Sequence, residues 1–446
     1  MKTISLLRLA STCIDAGNQG CNVIRSFHAA HQDAKGGKLK IGGDPRSVVT
    51  KCDIDAQERI ISGLRKTWGN EIRIIGEEDE DDGPVEPKME AEFISDLLRK
   101  DILFDNEEVG TVVPQDLDEE IPLEELVIFV DPVDGTREFV EGRLQNVACL
   151  IGIARNARPI AGIIGVPFPD GDLSSEAEVH YAVADQIKMT GVWPQNEKAS
   201  AASTPSDDED VTDCTILTGD SSNPILKKAI SCVRSIAKDN IHHTIIGGTA
   251  AKLRLVAASE TPTVSILHFD TELWDTCAAE ALLNCKGGKL TDLFGSPLVH
   301  CPKRKFGNVF GVVASLGGSD LHDELCRSMR ADPEVVHKIF EKWIGNSVST
   351  PQAIDVARDL DGIPYGLHDL QKLLKTDTTL VGYSVPEEDA WRGLMSNGVR
   401  YSLDWKEEST ETSLPSDIFY KRIDMAHLSH AQDKLKTAPH KVRVYH

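Results

Sequence analysis

Five consecutive apolar residues, 126–130 (LVIFV), run directly into the hexapeptide 131–136 (DPVDGT). A short, wholly apolar run bounded by turn residues reads as a buried strand, and such a strand needs cover on both faces. Its end delivers two carboxylates, Asp131 and Asp134, to the rim of a sheet. Pro132 stiffens the turn between them, and the Val133 carbonyl offers a further oxygen. Such a set suits hard cations. Gly135 and Thr136 follow at a helix start, where unpaired backbone N–H groups accept phosphate. An ordinary turn with a cap is the plainer reading of the same residues.

Around this strand the chain mixes periodicities. Ile4, Leu7, Ala10, Ile14, Val23, Ile24 and Phe27 recur at helical spacing and predict a long first helix that fades in 36–45 (GGKLKIGGDP). Residues 53–68 (DIDAQERIISGLRKTW) predict a second helix with acidic residues in its first turn. Residues 72–76 (IRIIG) read as a short strand, and 146–154 with 159–166 as a strand pair joined tightly at Asn156, Ala157 and Arg158. Later helices are expected at 223–237, 249–258 and 272–285. No regular βα alternation exists, so a layered α/β (α+β) sandwich is favoured over a barrel or a doubly wound sheet.

The 446 residues carry a formal charge of −23, which resembles a statement about partners until it is located. Residues 77–125 hold 20 acidic side chains against Lys88, Arg99 and Lys100, so most of the excess lies in one segment. The near-balanced remainder argues against a nucleic-acid surface. Ten cysteines without paired spacing predict neither a zinc site nor a disulfide framework, but reduced, mostly buried thiols in a cytoplasmic setting. No signal-peptide pattern opens the sequence, and no apolar run approaches the roughly 18 residues of a membrane span. Two stretches read as insertions: an acidic one, about 79–125, with an amphipathic piece at 91–103, and the biased loop 200–210 (SAASTPSDDED). All ten cysteines precede residue 330 and five of six tyrosines follow it, so 331–446 is read as an appended C-terminal region.

Three further acidic positions stand beside the first two. Glu77 is the first carboxylate after the 72–76 strand, whereas Asp79 to Asp82 read as a solvated loop. A calcium loop fails there, since Pro84 follows Gly83 and Met89 occupies the place of the bidentate Glu. Asp275 and Asp53 or Asp55 would each, alone, pass for helix caps. Taken together they supply what a metal-assisted phosphomonoesterase needs, carboxylates from several distant segments.

These segments resemble the lithium-sensitive, magnesium-dependent phosphatase superfamily that includes inositol monophosphatase, inositol polyphosphate 1-phosphatase and 3'(2'),5'-bisphosphate nucleotidase. The resemblance covers about residues 1–325. TKCDIDAQ, IIGEED, DPVDGTREFVEG, NVACLIGIA, GGTAAK and GGKLTDLFG look most like the bisphosphate nucleotidases. It implies a layered αβαβα sandwich and hydrolysis of the 3'-phosphate of adenosine 3',5'-bisphosphate with two or three Mg²⁺ ions. The implied metal ligands are Glu77, Asp131, Asp134, Asp275 and the Val133 carbonyl. Asp53 and Thr136 would activate the attacking water, Gly135 and Thr136 would contact the substrate, and Gly247, Gly248 and Lys252 would contact its second phosphate. The chain departs from that family at 218–223, where TGDSSN replaces a Thr-Arg-Ser-His run and puts Asp220 where a phosphate would be repelled. Leu273 likewise replaces a usual Lys.

Two alternatives stand beside the nucleotidase: an inositol polyphosphate 1-phosphatase, and a catalytically silent phosphometabolite sensor acting through the tail. A small phosphorylated molecule is the expected partner, with neither nucleic acid nor membrane. Residues 417–441 weakly resemble the opening of aminoglycoside phosphotransferase-like kinases, but His368-Asp369 lacks the following Asn and no DFG-like triplet occurs. The tail is therefore expected to carry no chemistry, and it names no partner.

Overall fold

A computed structural model describes residues 2–31, 45–78, 93, 120–185, 188–194, 214–237, 241–267, 271–301, 307–308, 310–317, 319–335 and 338–339, with four further strands between 380 and 423. The amphipathic piece at 91–103 (Phe93 apart), the loop 200–210 and His368-Asp369 lie outside these residues.

In chain order the elements are β1 (Thr3–Ser5), α1 (Leu6–His31), α2 (Pro45–Trp68), β2 (Ile74–Gly76), β3 (Glu120–Pro122), β4 (Leu126–Asp134), α3 (Thr136–Glu141), β5 (Ala148–Arg155) and β6 (Arg158–Val166). There follow β7 (Glu178–Ala184), β8 (Lys188–Trp193), β9 (Cys214–Thr218), α4 (Pro224–Ala237), β10 (Ile241–Ile245), α5 (Thr249–Ala257), β11 (Thr263–Leu267) and α6 (Leu273–Cys285). The last are β12 (Lys289–Thr291), β13 (Val312–Leu316), α7 (Ser319–Ala331), β14 (Leu380–Ser384), β15 (Ala390–Arg392), β16 (Ser396–Trp405) and β17 (Asp417–Ile423).

Two sheets organise the first compact unit. The larger has the order β2-β4-β5-β6-β7-β8, antiparallel except where β2 runs parallel to β4. Helices α1 and α2 pack together on one face, and α6 covers the other. That cover explains why every residue of β4 is buried. Beyond α6 lies α5, which also touches β11 and β13 of the second sheet, ordered β10-β9-β11-β13-β12, and α4 packs on β11 in turn. The succession is the αβαβα layering expected. At the β5–β6 connection Asn156 and Ala157 both have positive φ, 48° and 67°, the backbone that a two-residue hairpin demands.

Several local expectations need correction. The second helix begins at Pro45, eight residues before Asp53, so Asp53 and Asp55 lie in its body and neither caps its start. Residues 131–134 belong to β4 itself, where the turn was expected to follow the strand. The second compact unit gathers 291–299 and the chain from 323 onward. Its tail holds an antiparallel sheet with β16 flanked by β14, β15 and β17, and the opening of 417–441 is strand β17.

Candidate functional site

The register of the large sheet assembles the acids. Parallel pairing sets Gly76 opposite Val130, so the next residues, Glu77 and Asp131, emerge side by side, and the Glu77 N–H donates to the Val130 carbonyl (3.0 Å). Gly76 lies close under α2: a Cβ there would lie 2.3 Å from Gln57 Oε1 and displace that amide. Gln57 in turn accepts the Glu78 N–H at 3.1 Å, and Asp53 stands one turn earlier on the same helix face.

Asp131 and Asp134, three residues apart, would point to opposite faces of a regular strand. A bulge resolves this. Asp131 pairs with Leu150 and Asp134 with Ala148, so β4 inserts an extra residue between them, at Pro132-Val133. Asp275 reaches the same place from α6, as the N3 residue of a capping box whose N-cap is Glu272, rather than as the N-cap itself. Its Oδ2 accepts the Glu272 N–H at 2.6 Å. Carboxylate oxygens of Asp131, Asp134 and Asp275 all lie within 4.8 Å of one another. Glu77 keeps much of its surface exposed, yet its carboxyl shares a hydrogen bond with Asp131.

Such crowding has an electrostatic signature. Burial and the neighbouring acids push Asp275 up to about 8, and burial with Glu78 and Glu77 does the same to Asp53. Asp131 rises well above the carboxylate range, first from burial, then from Glu77, Asp275 and Asp134. Buried like charges without a counter-charge take up protons. An all-oxygen donor set of this kind fits a hard divalent cation, which would relieve that repulsion.

Asp134 is held by amides distant in sequence. Its two oxygens accept the N–H groups of Thr249 (3.1 Å) and Ala250 (2.9 Å), so it caps α5 from 115 residues away. The turn before α5 is tightly shaped. Gly248 has φ 75°, and a Cβ on Gly247 would fall 2.0 Å from the Glu138 carboxyl carbon. Glu138 is buried and takes both Arg143 Nε and Nη2 at 2.6 Å and Asn146 Nδ2 at 3.0 Å. Lys252 is also buried, its ammonium donating to the carbonyls of Ile246 (3.2 Å) and Gly248 (2.5 Å).

Thr136 is exposed, and its hydroxyl donates to the Val133 carbonyl at 3.2 Å. Among the described contacts it shares no hydrogen bond with Asp53. Gly135 takes φ 83° ahead of α3, a helix of only six residues. Sequence reading did not single out Glu138, Arg143, Gln57 or Asn308. The last is buried, and its Nδ2 donates to Glu272 O (2.8 Å) and lies near Thr271 Oγ1 and Thr276 Oγ1, fixing the start of α6. Gln57 and Asn308 act through contacts 21 and 36 residues away that no local pattern announces, whereas Arg143 holds Glu138 from five residues along the chain.

The family model described as "Inositol monophosphatase family" matches residues 10–334. The chain belongs to the inositol monophosphatase family. It is 29% identical over 338 residues to 3'(2'),5'-bisphosphate nucleotidase 1 of Dictyostelium discoideum, covering 74% of this chain and 99% of that protein. With the nucleotidase of the same description from Rattus norvegicus it shares 32% over 267 residues, 60% of this chain and 78% of the relative. A solved staphylococcal IMPase-II is similar over 75% of this chain and 98% of its own, at 16% identity and a TM-score of 0.49. This family member is a phosphatase, of a family that is generally metal-dependent. Among its described residues no helix is long and apolar enough to cross a membrane.

Proposed function

We propose that this phosphatase removes the 3'-phosphate of adenosine 3',5'-bisphosphate, giving AMP and phosphate, with Mg²⁺ as its cofactor. The observation that carries the reading is the convergence of the buried Asp131 and Asp134 with the half-buried Asp275, beside Glu77. The similarity to two bisphosphate nucleotidases supports the choice of substrate. Residues 1–325 would carry the activity, with 331–446 appended.

Glu77, Asp131, Asp134, Asp275 and the Val133 carbonyl would hold the metal, two or three ions in all. When bound, Mg²⁺ supplies a lowered pKa for its water and charge neutralisation at the phosphoryl and leaving oxygens. The chain's own groups do the rest. Thr136, whose proton is directed at Val133, can accept a hydrogen bond from the attacking water. Asp53, whose carboxyl is raised to about 8 by burial and by Glu78 and Glu77, would serve as the proton acceptor above that pH. Gly135, Gly247 and Gly248 let their turns pack closely on Asn146 and Glu138 and would contact the substrate through their backbone, and Lys252 adds positive field from beneath the turn.

Phosphate release from adenosine 3',5'-bisphosphate and from inositol 1,4-bisphosphate, each with Mg²⁺ and with EDTA, tests the reading. Mg²⁺-dependent turnover preferring the nucleotide is expected. Preference for the inositol compound would transfer the assignment to a polyphosphate 1-phosphatase, and turnover that survives EDTA would remove the metal.

A further inference from the structure

Behind the acid cluster lies a buried histidine that the proposed chemistry does not use. His300, in the connection between β12 and β13, is fully buried and touches both elements that deliver the acids. Its Nε2 is 3.2 Å from Oγ1 of Thr276, the residue after Asp275 on α6. Its ring meets the Phe129 ring edge-on, with centroids 6.0 Å apart and planes at 69°. Phe129 stands two residues before Asp131 and packs with Leu273 and Cys277 of α6, so Phe129 and Asp131 share the α6 side of β4.

The histidine is also held from behind. Its backbone N–H donates to the Ala157 carbonyl at 3.0 Å, and its Nδ1 lies 3.6 Å from Oε2 of the buried Glu280. Glu280 Oε1 in turn accepts Arg158 Nη2 at 3.0 Å. Thr276 decides the direction of the hydrogen bond. Its hydroxyl has one proton, and the carbonyls of Glu272 (3.2 Å) and Leu273 (3.3 Å) beside it can only accept. Its oxygen therefore accepts from Asn308 Nδ2 (3.4 Å) and from His300 Nε2, which carries the ring proton.

We propose that His300 is a positioning residue for metal binding: as donor to Thr276, wedged against Phe129, it sets the spacing between the Asp131 and Asp275 carboxylates. The inference rests on the metal reading above. Mg²⁺ demands near-octahedral geometry with oxygens at about 2.0–2.1 Å, so ligands on two elements must be held at a fixed separation. Apolar contact between β4 and α6 has no direction and fixes that separation loosely. A hydrogen bond into the first turn of α6 has direction, and a buried donor has no water to take instead.

The test is calorimetric titration of Mg²⁺ into the full chain without substrate, beside KM for adenosine 3',5'-bisphosphate at saturating Mg²⁺. His300→Asn, too short to carry a donor to Thr276, is expected to weaken Mg²⁺ binding about tenfold. KM should stay within about twofold, since no substrate contact is touched. His300→Gln, whose amide nitrogen reaches the place of Nε2, should restore Mg²⁺ binding to within about threefold of the wild type. Thr276→Val removes the acceptor at similar volume and should reproduce the loss in His300→Asn, with little added in the double variant. A Tm that falls while Mg²⁺ affinity is kept would make His300 a packing residue and overturn the proposal. His300→Gln as weak as His300→Asn would overturn it too. Should His300→Asn fail to fold, Thr276→Val decides: unchanged Mg²⁺ affinity there overturns the proposal. A wild type that takes up no Mg²⁺ overturns the metal reading and this inference with it, whereas one that binds Mg²⁺ with the variants indifferent overturns this inference alone.

Discussion

The acid cluster and the Arg137–Asp220 pair are both built from charged side chains, but they are held in opposite ways. Asp131, Asp134 and Asp275 are fixed by backbone N–H groups: Val133 to the first, Thr249 and Ala250 to the second, Glu272 to the third. Among the described residues, Arg137 pairs through its side chain with the exposed Asp220 and the half-buried Glu141. The difference follows from dielectric. A misplaced buried carboxylate has no water to correct it, so rigid donors must set its position. An exposed pair is screened and needs no such frame.

The comparison can be broken at the buried end first. Asp134→Asn removes a carboxylate from the cluster and leaves one oxygen for two α5 amides. Steady-state assay should find turnover down by about 10³, with a modest fall in Tm and an unchanged far-UV circular dichroism spectrum. Near-normal activity would show that Asp134 is a cap and not a ligand. Gly247→Ala forces a methyl group into the Glu138 carboxyl, displacing the turn that delivers the amides to Asp134. Activity should drop about a hundredfold, the scale on which ångström misplacement acts.

Asn308→Ala tests whether Asp275 depends on its support. Loss of the donor to Glu272 should lower turnover about tenfold and weaken activation by Mg²⁺, as changes behind a metal ligand do. Stability should fall by about 1–3 kcal/mol, since buried acceptors lose their partner.

Titration should give the smallest effect, and it sharpens the contrast. Unfolded carboxylates titrate near 4, whereas Asp53 and Asp275 are raised to about 8 in the fold. Their contribution to stability is complete below about pH 4 and is lost as pH rises through 8. Tm of the metal-free protein, followed by calorimetry, should therefore decline between about pH 4 and 8. Saturating Mg²⁺ should recover roughly 5 °C at the alkaline end. Glu280, raised to about 8 by burial and paired with Arg158 at 3.0 Å, supplies a decline that Mg²⁺ leaves in place. A Tm indifferent to Mg²⁺ at pH 9 would argue against cation binding by the cluster.

Much of this was legible in sequence where the signal was local. The apolar run of β4, the 3.6-residue period of α1, α4 and α5, and the tight hairpin at Asn156-Ala157 are fixed by side chains close together in the chain. Reading failed where a helix began beyond its apolar pattern, as at Pro45, and so Asp53 was open to interpretation as a cap. It failed again at the bulge, because only pairing with β5 shows that Asp131 and Asp134 share a side of the sheet.

The residues alone determined which carboxylates were available and that strands would carry them to a sheet edge, since burial of apolar runs leaves little choice of element. Tertiary structure decided how those acids are aimed and what surrounds them. The amides that grip Asp134, the Glu138 clamp beneath Gly247 and the Arg137–Asp220 pair each join residues distant in sequence, and no periodicity within one segment encodes a contact with another.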